Sequence, residues 1–150
     1  MDPYLISIIL LLGLSAFFSA SETALISLSD VRTRTFLKKK SKKNIVEIIL
    51  SLKAKPTRLL TAVLIGNNLV NVSISALATI YFTKLFGNWG PGLAIGLITF
   101  LVLVFGEIIP KSLAVLKPEK VSFLVAKPIQ MSIRKINLQS ALSKKLAFGN

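Results

Sequence analysis

The sequence predicts an all-α membrane protein, with three spanning helices and a belt of amphipathic helices on the cytoplasmic side. Three observations carry that expectation. Hydrophobic residues make up 53% of the 150, and mean hydropathy is +0.70, too apolar for a soluble domain of this size. Three stretches, 4–28, 59–82 and 92–116, hold only Glu22, Glu107 and Lys111 as charges. Each is roughly 36 Å long as a helix, enough to cross a hydrocarbon core with some tilt. Finally, the basic residues are lopsided. Ten of the nineteen lie between Arg32 and Arg58 and eight between Lys111 and Lys145, leaving Lys84 alone in the connection between the second and third stretches. By the positive-inside rule the loop 29–58 and the segment 117–148 are cytoplasmic and the N-terminus is outside, as in a multi-pass plasma-membrane protein.

In chain order, the first stretch could serve as a secretory signal. However, "MDPY" lacks a basic n-region, the apolar run is long, and "FFSAS" fits a small-x-small cleavage site poorly, so it reads as a retained helix. In the loop, Asp30 is placed to cap a helix through "VRTRTFLKKK", "KKKSKK" marks a break, and "NIVEIILSLK" resumes as a short apolar-faced helix. "AKPTR" ends it, because the residue before Pro56 is pushed out of helical geometry. "KLFGNWGPG" is a tight turn that makes the second and third spans an antiparallel pair. Tyr4, Tyr81 and Trp89 then fall at the outer interface as an aromatic belt. Beyond residue 116, Lys120, Lys127 and Arg134 recur every seven residues among Phe123, Leu124, Ile129, Ile133, Ile136 and Leu142. That pattern fits an amphipathic helix, bent at Pro128, in the cytoplasmic headgroup region or packed on a further domain.

Several chemistries are excluded. Without cysteine or histidine, thiolate and imidazole metal sites, Cys or His nucleophiles and His proton relays cannot occur here. A bound metal must be held by oxygen, which favours hard cations. The basic residues behind the formal charge of +13 are concentrated in the two cytoplasmic segments, so anionic lipid headgroups, not nucleic acid, are the expected partner.

Polar residues interrupt all three spans. Ser15, Ser19 and Glu22 share one helix face, while Ser21 points elsewhere; Asn67, Asn71 and Ser75 share another, with Asn68 about 100° away. In "VFGEIIPKSLA", Pro110 has no N–H, and in an α-helix the carbonyl it leaves open belongs to Gly106, beside the carboxylate of Glu107. At about 1.5 Å per residue, Ser19, Asn67 and Gly106 all lie roughly 21–24 Å below the outer ends of their spans. A freed carbonyl, a carboxylate, hydroxyls and amides at one depth can form an oxygen cage for a cation. Taken singly, each has a structural reading: serines ease helix packing, an asparagine bridges helices, a proline merely kinks, and Lys111 either pairs with a carboxylate or snorkels to the headgroups. An intramembrane glutamate is by default functional, and there are two.

"SAFFSASETAL", "LIGNNLVNV" and "VFGEIIPKSLA", in register on three successive spans, resemble the membrane domain of the CNNM/CorC (cyclin-M-like, often hemolysin-like in bacteria) magnesium transporters. The resemblance covers roughly residues 3–140. It implies a homodimer that binds Mg²⁺ in the inner half of the bilayer and moves it outward, with Na⁺ as the candidate exchange ion. It also implies Ser15, Ser19, Asn67, Gly106 and Glu107 as metal-binding residues, supported by Ser21, Glu22, Asn68, Asn71, Pro110 and Lys111. Family members usually continue into CBS modules that bind ATP–Mg²⁺; ending at Asn150, this sequence corresponds to the membrane domain alone, without nucleotide regulation. The alternative expectations are a Mg²⁺ sensor or regulatory scaffold without transport, and a lipid-binding anchor. An enzyme is not expected, because no nucleophile is paired with a base.

Overall fold

The computed structural model describes residues 2–29, 31, 33 and 43–147, the stretch from 134 onward as backbone only. The described elements are helices: α1 (Pro3–Ser27), α2 (Lys43–Lys53), α3 (Pro56–Phe86), a 3₁₀ turn (Gly87–Trp89), α4 (Gly90–Leu101), a π-helical segment (Val102–Ile108), α5 (Ile109–Leu116) and α6 (Pro118–Ala147). No strand occurs among the described residues. Proline opens α1, α3 and α6, where a first-turn N–H needs no helical partner. The residues just before two of these prolines leave helical geometry, Lys55 at φ −129°, ψ 66° and Lys117 at φ −133°, ψ 56°, as steric conflict with the proline ring requires. Asp2 caps α1, its carboxylate accepting the Tyr4 N–H at 3.0 Å. The helix expected after Asp30, the break at "KKKSKK" and the side chains of Arg134, Ile136 and Leu142 fall outside the described residues.

Two helical runs are long and apolar enough to cross a membrane, Pro3–Ser27 and the 61-residue run Pro56–Leu116. Their most apolar windows are each only 22% buried, whereas the core helix of a soluble protein would be mostly enclosed. Leu10, Leu69 and Ile95 accordingly look outward. The longer run doubles back at Gly87, whose φ of 58° suits a residue without Cβ. Gly90 completes the turn: a Cβ there would sit 2.4 Å from the Phe82 carbonyl oxygen. Fully buried Ala78 on α3 and Ala94 on α4 belong to one cluster, small side chains that allow two backbones to approach closely. Helix α3 overruns both ends of the apolar stretch 59–82, since Thr57, Arg58, Thr83 and Lys84 are compatible with helix. At the turn end, the Tyr4 and Tyr81 rings lie 6.4 Å apart and the Lys84 ammonium donates to the Tyr4 hydroxyl at 2.8 Å, joining the start of α1 to the end of α3.

The packing divides into two clusters. Ile8, Val70, Ile74, Ala78, Ala94 and Ile98 form one within the spanning helices. The other gathers Leu25 and Leu28 after α1, Ile49 and Leu52 of α2, Leu59 and Val63 of α3, and Val125, Ala126 and Ile129 of α6. Helix α6 thus lays its Ser122–Val125–Ala126–Ile129 face on the chain's own helices, a third arrangement beside the two the sequence offered. Its opposite face exposes Lys120, Leu124, Lys127 and Met131 in turn. The Lys53 ammonium also donates to the Leu28 carbonyl, fastening α2 to the end of α1.

The hairpin yields a paired prediction. Gly90→Ala, which forces a methyl against backbone, lowers stability by about 1–3 kcal/mol. Gly92→Ala, where a Cβ meets nothing within 4 Å, leaves it unchanged or slightly raised. Thermal unfolding of both variants in detergent checks this.

Candidate metal-ion site

Hydroxyls in hydrocarbon usually satisfy themselves on their own helix. Ser7, Ser21, Ser73, Ser75, Thr79 and Thr83 all do so, each donating to the carbonyl four residues back at 2.6–3.0 Å. Ser15 and Ser19 do not. Both are buried on one face of α1, at 0% and 1% exposure. The Ser15 Oγ lies 2.7 Å from Asn71 Oδ1 and 3.2 Å from Asn67 Oδ1 on α3, and the Ser19 Oγ has no hydrogen-bond partner among the described residues.

A hydroxyl carries one hydrogen, so Ser15 can serve only one of the two amides fully, and the shorter distance assigns it to Asn71. Three oxygens therefore converge on a single proton. Such a cluster is electron-rich, and a positive charge would lower its energy. Gly106 closes it from the third side: a Cβ at that position would come within 3.0 Å of the Ser15 Oγ and 3.6 Å of Leu12 Cδ1. Only a residue without a side chain brings the backbone of the π segment so near α1. Gly66, one residue before Asn67, plays a related part by leaving room for the Phe18 ring, which a Cβ would meet at 2.6 Å.

The π segment changes the backbone account in one respect. The Ile109 N–H bonds to the Val104 carbonyl, five residues back, not to Phe105. Phe105 therefore loses its α-helical donor, and its next possible donor, Pro110, has no N–H. Gly106 loses its own i+4 donor to the same proline. The sequence pointed to the Gly106 carbonyl; in the π register the carbonyl left without either helical donor is that of Phe105, one residue earlier, while Gly106 keeps the Lys111 N–H five residues on as its possible donor. A carbonyl without a donor costs several kcal/mol in hydrocarbon, which makes an open one here a strong acceptor.

The structure brings Ser15, Asn67, Asn71 and Gly106 together, with Ser19 one turn below Ser15. Asn71 is the nearer amide, although helix-face spacing alone could not rank it above Asn67. Pro110 is buried; Glu22, Glu107 and Lys111 are half-buried and outside these hydrogen bonds. Asn68 is exposed, turned about 100° from the cluster as its position on the helix requires. Ser21 directs its hydrogen to Phe17 on its own helix. Among the described residues no three carboxylates gather, so a cation here would rest chiefly on neutral oxygens.

Apolar helices with outward-facing side chains around an internal polar cluster define a membrane protein. Comparison with known proteins narrows the class. Residues 5–147 match the Cyclin M transmembrane N-terminal domain, and the chain belongs to this CNNM family. It is 46% identical over 124 residues to the Escherichia coli UPF0053 inner membrane protein YfjD and 48% identical over 118 residues to a Haemophilus influenzae UPF0053 protein. Both alignments cover 79% of this chain but only 28% of the relative, so the chain spans under a third of the length of the bacterial proteins it matches. A chloroplastic DUF21 domain-containing protein of Arabidopsis thaliana is 38% identical over 119 residues, covering 79% of this chain and 18% of the relative.

The two serines should respond oppositely to truncation in cation-free detergent. Ser15→Ala strips a half-buried amide of its donor and costs about 1–3 kcal/mol. Ser19→Ala removes an unsatisfied buried hydroxyl, and stability is expected to hold or rise by up to about 1 kcal/mol. Chemical denaturation of both variants measures the difference.

Proposed function

We propose that the chain is the ion-binding membrane domain of a magnesium transporter that moves Mg²⁺ outward, with Na⁺ as the exchange ion, and that it is not an enzyme. The observation that carries this reading is the proton-poor oxygen cluster of Ser15, Asn67 and Asn71 against Gly106. Ser15 and Ser19 offer hydroxyl oxygens, Asn67 an amide oxygen, Gly106 its carbonyl, and Glu107 the negative charge. Asn71 holds the Ser15 proton away from the ion, while Glu22, Asn68, Ser21, Pro110 and Lys111 support the polar surroundings. Mg²⁺ needs near-octahedral oxygen ligation and dehydrates reluctantly, so retained waters complete its shell.

In this reading the hairpin at Gly87 makes two antiparallel spans of the 61-residue run, three with α1. The N-terminus and the Tyr4–Lys84 end face outside, and α2 and α6 lie on the cytoplasmic side, where their basic residues meet anionic headgroups. The protein works as a homodimer in the cell membrane, an assignment in keeping with the inner-membrane description of the Escherichia coli relative. In the longer proteins of the family, CBS modules would follow α6.

Glu107→Gln and Asn67→Ala are expected to abolish stabilisation by Mg²⁺, which for the unaltered protein reaches about 2.7 kcal/mol at a hundredfold excess over Kd. Both variants should remain dimeric by size-exclusion chromatography with light scattering. Undiminished Mg²⁺ stabilisation in both would remove the ion from this site. Mg²⁺ flux into vesicles containing only this chain separates transport from sensing: binding without flux would make the domain a sensor.

A further inference from the structure

At the junction of α2 and α3 a groove of about 320 Å³ opens between Ser51, Lys55, Arg58 and the α6 residues Gln130 and Ile133, floored by Leu52 and Leu59. Its character is asymmetric. Lys55 and Arg58 are both exposed, and no carboxylate lines the groove. Ser51 commits its hydrogen to the Ile48 carbonyl at 2.7 Å, leaving the lysine, the arginine and the Gln130 amide as side-chain donors. The first turn of α3 starts here without a side-chain cap, so the positive end of a 31-residue helix adds to the two cations. The groove therefore favours an anion with several acceptor oxygens.

Its position says which anion. Ile65 and Leu69 follow Arg58 at seven and eleven residues, on the same helix face and 52% and 67% exposed. A cationic groove thus sits at the foot of an exposed apolar track that rises along a membrane-crossing helix. Free phosphate would use only the foot. An anionic glycerophospholipid uses both, its phosphate on the charges and its acyl chain along the track.

We infer that this groove binds one anionic glycerophospholipid, its phosphate held by Lys55 and Arg58 and an acyl chain lying over Ile65 and Leu69. The inference rests on the membrane setting of α3 and is independent of the metal-ion reading. Lys55 lies in the α2–α3 connection and Arg58 in the first turn of α3, so the bound lipid sits on that junction and stiffens it.

The test is native mass spectrometry of the full chain from detergent containing phosphatidylglycerol and phosphatidylcholine, without divalent cations. Thermal unfolding in nanodiscs of each lipid runs alongside. The unaltered protein should retain phosphatidylglycerol preferentially and melt higher in it. The double variant Lys55→Gln/Arg58→Gln should lose most of that retention, and Ala54→Trp, which fills the groove from a residue of its own lining and keeps both charges, should lose it too. Lys120→Gln/Lys127→Gln, which removes equal charge from α6 and with it only diffuse attraction for headgroups, should lose far less. Equal loss in the α6 variant would mean diffuse electrostatics and overturn the site, as would full retention in Ala54→Trp. An equal melting shift from soluble glycerol 3-phosphate would replace the lipid with a free phosphate ester and overturn the inference as well.

Discussion

Inside a bilayer every backbone carbonyl must find a donor within the protein, and Pro110 withholds one from the helix that contains it. The chain responds with a change of register: the ladder from Val102 to Ile108 runs in π geometry, and Ile109 bonds to Val104. The surrounding architecture can be understood from this local shortage. Backbone acceptors of this kind cannot face lipid without a large penalty, so the segment turns inward against α1. There Gly106, lacking a side chain, reaches the Ser15 hydroxyl. Ser15 in turn reaches across to the two asparagines of α3. One missing hydrogen thereby draws three helices together at a single level.

The two apolar clusters hold this arrangement by different forces. Around Ile74, Ala78 and Ala94 the alternative to a protein neighbour is an acyl chain, equally apolar, so stability there comes from close fit and not from escape from water. Around Leu25, Ile49, Leu59 and Ile129 the alternative includes water and headgroups, and the hydrophobic effect contributes about 1.5–3 kcal/mol per large buried side chain. The polar cluster lies between the two. It is framed from one side by packing that tolerates small shifts and from the other by packing that resists them.

Much of this could be read from the residues, because the signals were local. Apolar length marked the helices, prolines marked their starts, and i, i+4 spacing put Ser15 and Ser19 on one face and Asn67 and Asn71 on another. Three features stayed hidden for physical reasons. The π register depends on which acceptor the Ile109 N–H takes, Phe105 or Val104, and a proline at position 110 is compatible with either. The precedence of Asn71 over Asn67 depends on half an ångström of helix placement. The docking of α6 on its own chain was invisible because basic residues at a seven-residue spacing are equally compatible with a headgroup layer, a further domain or packing on the chain itself; the burial of Val125, Ala126 and Ile129 shows that one face takes the last course.

The tie between Lys53 and the Leu28 carbonyl has a mechanical meaning. It clamps the lower end of α1 to α2, and Leu25 and Leu28 seat that same end against α6. Helix α1 is then a lever with its handle in the surface layer and its working face, Ser15 and Ser19, midway along. A rotation of that face by a fraction of a turn would strain the contacts with α2 and α6 at the other end of the helix.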